Sequence, residues 1–209
     1  MGKLCIGRIV AGPCQTNTYF LYDEDVKKCI IVDPSENGIY DKLTEKGFEP
    51  AAVILTHGHF DHIMGCHELQ AKSLKICALD EEKDVLRDSE LNVSEGFLGA
   101  VYTVEADRFF TDGEEVTLAG LTFKVIATPG HTKGGCCYYF EQEGLMLTGD
   151  TLFQGSIGRS DFPTGNESVL LRSAKMLVTD YPADTKIYPG HGGTSTLGDE
   201  KKYNPFVRG

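Results

Sequence analysis

Three of the six histidines in the chain fall within the seven residues Thr56-His57-Gly58-His59-Phe60-Asp61-His62. This stretch follows directly on the apolar run Val53-Ile54-Leu55. His57 and His59 are two apart, so in an extended segment both side chains point the same way. Asp61 and His62 begin a turn into a helix and address a second, adjacent spot. One loop can therefore offer two ligands to each of two neighbouring cations. Imidazole and carboxylate together suit zinc, iron or manganese. A merely polar turn is the weaker reading, because six histidines spread at random would rarely crowd so tightly beside an aspartate.

Three further residues sit in similar settings. His131 lies in Thr128-Pro129-Gly130-His131-Thr132, after an apolar run ending at Ala127, and His191 lies in Tyr188-Pro189-Gly190-His191-Gly192. In both, a Pro-Gly turn throws a histidine off a strand end. Asp150, in Leu147-Thr148-Gly149-Asp150-Thr151, also stands just past a strand. The seven candidate ligands thus come from four strand ends, where β-containing folds gather their sites. His67 is different: five residues past His62, it lies about 140° around a helix from it and reads as structural or surface. Among the cysteines, Cys136 and Cys137 are adjacent in a strand and face opposite sides. Cys14 alone keeps a reading near the site.

The elements that must hold these residues follow from periodicity. Leu4–Val10, Thr18–Tyr22 and Cys29–Val32 are rich in β-branched or aromatic residues and are bounded by Gly, Pro and Asp clusters, so they predict strands. A short helix is expected over Gly38–Lys46, a buried strand over Ala52–Leu55 and a helix over His62–Ala71. Lys75–Ala78 reads as a strand, and Asp80–Arg87 as a short helix with Asp80 as its N-cap. Val116–Leu118, Phe123–Ala127, Cys136–Phe140 and Leu145–Leu147 are further strands. Asn166–Thr179 fits an amphipathic helix carrying Val169, Leu170, Leu177 and Val178 near one face. Lys186–Tyr188 is a last strand. Each half is a run of strands followed by helix, which suggests two packed sheets with helices outside.

Composition narrows the function classes. A chain of 209 residues, 41% hydrophobic and 24% charged, reads as one globular domain over 1–209. The formal charge of −11 and the lack of any run of three Lys or Arg disfavour nucleic acid. No apolar run approaches the ~20 residues of a membrane span, and the N-terminus lacks a signal-peptide pattern. Seven scattered cysteines without a C-x-x-C pair then read as reduced thiols in a cytoplasm.

The segment THGHFDH resembles the H-x-H-x-D-H signature of the metallo-β-lactamase superfamily. TPGHT, LTGDT and YPGHG are similar to its remaining ligand segments, in the expected order and spacing. The resemblance implies an α+β fold, a four-layer αββα sandwich of two mixed sheets flanked by helices. It implies two divalent metal ions, zinc first, with iron or manganese as alternatives. His57, His59 and His131 would hold one ion, Asp61, His62 and His191 the other, with Asp150 as the bridge. Asp33, at a strand end in Ile31-Val32-Asp33-Pro34, is expected to hydrogen-bond one of the ligating histidines.

Within the superfamily, the full seven-ligand set looks most like the type II glyoxalase group, the hydroxyacylglutathione hydrolases. Gly149-Asp150-Thr151-Leu152-Phe153 is similar to their G-D-T-L-F stretch, and Gly190 through Phe206 to the C-terminus of the short single-domain hydrolases. Antibiotic-hydrolysing members often carry Cys where this chain has Asp150, so that activity is disfavoured. The H-x-E-x-D pattern of the flavodiiron proteins is absent, and the nuclease branch adds insertions that a chain of this length and charge does not support. The expected partner is a small-molecule thioester such as S-D-lactoylglutathione or a related hydroxyacyl thioester. The expected chemistry is attack by a metal-bridging hydroxide, with Asp61 and Asp150 as the catalytic carboxylates. The C-terminal helical domain of longer glyoxalases, which supplies part of their glutathione site, is expected to be lacking, since the chain ends 18 residues past His191. In those longer enzymes a Lys at the place matching Arg159 contacts the thiol cofactor's carboxylate. Arg159 is therefore a candidate substrate-binding residue, its other reading being an internal ion pair with Asp161. The main rival is a mononuclear iron dioxygenase acting on persulfides, with iron on His57, His131 and Asp150; similar G-R-x-D-F runs occur there. A non-catalytic module is disfavoured because no ligand is lost. The metal, the acyl group, the thiol and the oligomeric state stay open.

Overall fold

A computed structural model describes residues 3–208. Six strands form the first sheet in sequence order: β1 (Leu4–Ala11), β2 (Thr16–Asp23), β3 (Lys28–Val32), β4 (Glu49–Ile54), β5 (Lys75–Leu79) and β6 (Arg108–Phe110). β1, β2 and β3 are antiparallel, whereas β3 through β6 run parallel. The parallel pairs need crossovers. These carry α1 (Ile39–Thr44), α2 (Phe60–Ile63), α3 (Cys66–Ala71), α4 (Lys83–Arg87) and α5 (Ser94–Leu98).

The second sheet is built from β7 (Glu115–Leu118), β8 (Leu121–Ala127), β9 (Cys136–Phe140), β10 (Leu145–Gly149), β13 (Lys186–Pro189) and β14 (Ser195–Thr196). A two-stranded hairpin, β11 (Leu152–Phe153) with β12 (Ser156–Ile157), stands beside it. The one parallel pair among its described strands is β10 with β13, and its crossover carries α6 (Glu167–Asp180). α7 (Leu197–Tyr203) follows β14.

The layers follow from strand periodicity. Ile30 and Val32 on β3, Ile54 on β4, and Cys136, Tyr138 and Phe140 on β9 meet in the core between the sheets. Their neighbours Cys29, Ile31 and Val53 face the opposite way, against Ile39 and Leu43 of α1 and Leu69 of α3. On the second sheet Cys137, Tyr139 and Met146 turn outward against Ala174 and Leu177 of α6. Strands buried on both faces read as nearly continuous apolar runs, which is why Cys136–Phe140 shows no polar alternation. The αββα sandwich is thus present, and the two adjacent cysteines do face opposite sides.

Two expected elements differ. The helix expected over His62–Ala71 is two short helices, because the chain bends at Met64 and Gly65 between α2 and α3. Asp80 is not an N-cap: residues Asp80–Glu82 form a 3-10 turn ahead of α4, and neither start carries a side-chain cap bond. The physical reason is Glu82, whose side chain is turned inward to bind two loops and is fully buried. The N-cap of α6 is Asn166, whose side chain accepts from Val169 N at 3.1 Å. Such a cap contributes roughly 1 kcal/mol.

Candidate metal centre

All seven histidine and aspartate candidates converge at one edge of the two sheets. The end of β4 supplies His57 and His59, and α2 supplies Asp61 and His62. The turns after β8, β10 and β13 supply His131, Asp150 and His191. Polar ties close the two sheets around this edge. Tyr138 Oη donates to Leu55 O at 2.6 Å, Tyr19 Oη to Pro189 O at 2.9 Å, and Asn17 Nδ2 to the same carbonyl at 2.8 Å.

The ligand atoms fall into overlapping groups. His57, His59 and His131 form one, Asp61, His62 and His191 another, and His57, His62 and Asp150 a third that joins them, each with its candidate atoms within 4.8 Å of one another. His131 Nε2 stands 2.9 Å from His59 Nδ1 and 3.2 Å from His57 Nε2. In the second group His62 Nε2 is 3.3 Å from His191 Nε2 and 3.5 Å from Asp61 Oδ2. Asp150 spans them: Oδ1 lies 3.5 Å from His62 Nε2, and Oδ2 lies 3.5 Å from both His131 Nε2 and His191 Nε2. Close backbone approach requires glycine at 190, where a Cβ would stand 2.2 Å from Asp150 Oδ1 and 2.6 Å from His62 Cε1.

Hydrogen bonding assigns the ring protons. His131 Nδ1 lies 2.7 Å from the Arg159 carbonyl, which only accepts, so Nδ1 carries the proton. Thr56 Oγ1 donates to Asp33 Oδ2 at 2.6 Å and so accepts from His57 Nδ1 at 3.2 Å. The Nε2 lone pairs of His57 and His131 therefore face each other at 3.2 Å, and His59 Nε2 is buried without a hydrogen-bond partner. Asp150 Oδ1 is likewise buried without a hydrogen-bond partner. Converging lone pairs and an orphaned carboxylate oxygen fit a cation.

Electrostatics divides the two groups. Burial, then the neighbouring imidazoles, holds His57 well below the ordinary histidine value, and burial with His131 holds His59 down to about 3. These rings are neutral, the form that ligates. Burial alone would push Asp150 up, yet His62, His191 and His131 hold it down to about 2. His62 and His191 go the other way. Burial opposes their charge, but Asp61 and Asp150 raise them to about 9 and about 10 in the protein without metal.

The remaining sequence candidates separate cleanly. Asp33 Oδ2 meets His62 Nδ1 at 3.0 Å, as expected for a residue that orients a ligand. His67 is exposed, bonded to the Thr103 carbonyl at 2.8 Å and stacked on Tyr102, away from the cluster. A cavity of about 290 Å³ opens over the cluster and is lined in part by Cys14, Val93, Phe97, Phe153, Arg159 and Phe162. Arg159 lies both at this cavity and in a bidentate pair with Asp161 (2.7 and 2.6 Å), its guanidinium 3.8 Å from the centre of the Phe162 ring. Sequence reasoning missed the aromatic wall, because α5, which carries Phe97, is only five residues long and has no periodicity to read. It also missed Thr16, which donates to Asp61 Oδ2 at 2.7 Å, and Asn17.

Residues 11–191 match the Metallo-beta-lactamase superfamily, and the chain belongs to it. It is 36% identical to the probable metallo-hydrolase YqgX of Bacillus subtilis, over 97% of each chain. It is 32% identical to the hydroxyacylglutathione hydrolase GloC of Haemophilus influenzae, over 92% of this chain and 93% of that one. The crystal structure of the BLEG-1 B3 metallo-beta-lactamase superposes with a TM-score of 0.92 at 36% identity, covering 98% of this chain and all of that one. Among the described residues no helix is long and apolar enough to cross a membrane.

Proposed function

We propose that this metallo-hydrolase is a binuclear, type II glyoxalase-like thioesterase that cleaves S-D-lactoylglutathione or a related hydroxyacyl thioester. The observation that carries the reading is the position of Asp150, within 3.5 Å of histidines from both groups while its buried Oδ1 makes no hydrogen bond. The likeness to GloC over most of both chains supports the substrate class. His57, His59 and His131 would hold one ion, Asp61, His62 and His191 the second, and Asp150 both. Two divalent ions there, zinc first, supply a water-derived nucleophile at neutral pH and a Lewis acid for the carbonyl.

The chain's own groups do the rest. Thr16 holds Asp61 through Oδ2, which fixes the carboxylate that orients the attacking group. Phe97, Phe153 and Phe162 exclude water from one side of the cavity and receive the apolar part of the substrate. Arg159 receives a substrate carboxylate by exchanging it for Asp161; an exposed pair of this kind contributes little and gives way readily. The thiolate leaves with little need of a proton, because it is a weak base whose conjugate thiol has a pKa of about 8.5.

A second reading, opening of a β-lactam amide, is favoured by the BLEG-1 likeness. Metal analysis together with a substrate panel tests both. The proposal expects about two ions per chain and turnover of D-lactoylglutathione or another thioester. Opening of a β-lactam with no thioester cleaved would favour the second reading, and full activity with one ion per chain would overturn the binuclear assignment.

A further inference from the structure

Glu82 is fully buried, and among the described residues it has no salt-bridge partner. It takes no part in the ligand set, lying on the 3-10 turn ahead of α4. A carboxylate in such a place is costly unless donors surround it. Three do. Oε1 accepts from the backbone N–H of Gly58 at 2.8 Å. Oε2 accepts from Gly134 N at 2.8 Å and from Thr132 Oγ1 at 3.0 Å.

The identity of the donors matters more than their number. Gly58 stands between His57 and His59, and Thr132 follows His131 directly. The two loops come from different sheets, β4 in one and β8 in the other. One carboxylate therefore ties together the two loops that present the three-histidine group. Among the described residues, none of its hydrogen bonds reaches the loops carrying Asp150 or His191. The fit is tight on the far side too: a Cβ at Gly134 would stand 2.2 Å from Glu82 N. Burial pushes the Glu82 carboxyl up to about 7, against the pull of its three hydrogen bonds.

We propose that Glu82 is a positioning residue that sets the spacing of His57 and His59 against His131, and so tunes the affinity of that one ion site. The inference rests on the metal-binding reading above. Glu82→Gln keeps the shape but turns an amide N–H₂ toward a backbone N–H on one side, so one strap end is lost. Groups that orient ligands by direct hydrogen bonds alter metal affinity by about 10- to 100-fold; Glu82 acts through Gly58 and Thr132, the residues next to the ligands.

The test titrates the metal-stripped full chain with zinc alone against a chromophoric chelator. A His191→Ala background isolates the three-histidine group, and a His59→Ala background isolates the other. In the first, Glu82→Gln should weaken zinc binding about 10- to 100-fold; in the second, the change should stay within about threefold. Thr132→Val, which removes one donor and keeps the volume, should weaken the same site by less. Should Glu82→Gln fail to fold, Thr132→Val decides by the same comparison. Glu200→Gln is the control, since Glu200 is a buried carboxylate bonded to Gly155 N, Asn204 and Ser195. It should lower thermal stability without moving either zinc affinity. Equal loss at both sites, no loss at the three-histidine site, or an equal effect from Glu200→Gln would overturn the proposal. Zinc binding in neither background and none in the unaltered chain would instead overturn the metal reading itself.

Discussion

Asp33 Oδ2 lies 3.0 Å from His62 Nδ1 with both side chains buried, so the imidazole presents Nε2 to Asp61, Asp150 and His191. Asp33 also accepts from Thr56 N at 2.8 Å and from Thr56 Oγ1 at 2.6 Å. It sits at the end of β3 in the left-handed region, with φ of 51°, which Asp tolerates better than most residues. Asp33→Asn cannot accept all three donors. It should cost about 1–3 kcal/mol of stability, read by chemical denaturation. It should also weaken the ion at the Asp61–His62–His191 group about 10- to 100-fold, read by chelator competition. Unchanged metal affinity would reduce Asp33 to a turn residue.

Asp150 faces histidines of both groups, so its loss should reach further than that of a terminal ligand. Asp150→Ala should lower kcat more than His131→Ala or His191→Ala does, with KM changing less. His67→Ala should stay near the unaltered rate, since its ring bonds only the Thr103 carbonyl and stacks on Tyr102. Steady-state kinetics on all four variants checks the ordering. A His67→Ala loss equal to that of Asp150→Ala would contradict it.

Gly190→Ala places a methyl where Asp150 Oδ1 and His62 Cε1 already stand, at 2.2 and 2.6 Å. Either the His191 turn or Asp150 must shift. A displacement on the order of 1 Å near reacting groups costs about 100-fold in rate. Circular dichroism should show the fold retained while kcat/KM falls by about that factor. Full activity would mean that this turn adapts freely.

Arg159→Ala should raise KM for carboxylate-bearing thioesters about 10-fold or more, from loss of a charged hydrogen bond, with a smaller change in kcat. Thioesters lacking a carboxylate should be indifferent. An equal response to both would leave Arg159 as a support for Phe162 through its 3.8 Å stacking contact.

The site was legible in the sequence to the extent that its residues are chemically rare and cluster. His57, His59, Asp61 and His62 declare themselves within seven positions, and the Pro-Gly turns mark His131 and His191 as strand-end residues. The core strands declare themselves by long apolar runs. Glu82 was hidden because Asp80-Glu81-Glu82-Lys83-Asp84 looks like a solvated charge run, and only tertiary structure turns one of its five residues inward. β6 is three residues long and α5 five, too short for a period to show, and both are held by neighbours rather than by local propensity. α7 follows Thr196, which caps it by accepting from Asp199 N at 3.1 Å, but Gly198 in its first turn masks the helical signal.

Oxygen dependence tests thioester hydrolysis most directly. The metal-loaded chain is mixed with D-lactoylglutathione and a panel of hydroxyacyl thioesters in oxygen-free buffer, and free thiol and acid are measured. A thioesterase built on the seven-residue cluster should release both in equal amounts, at the rate seen in air. Oxygen uptake with glutathione persulfide, together with no thiol released from any thioester, would contradict thioester hydrolysis.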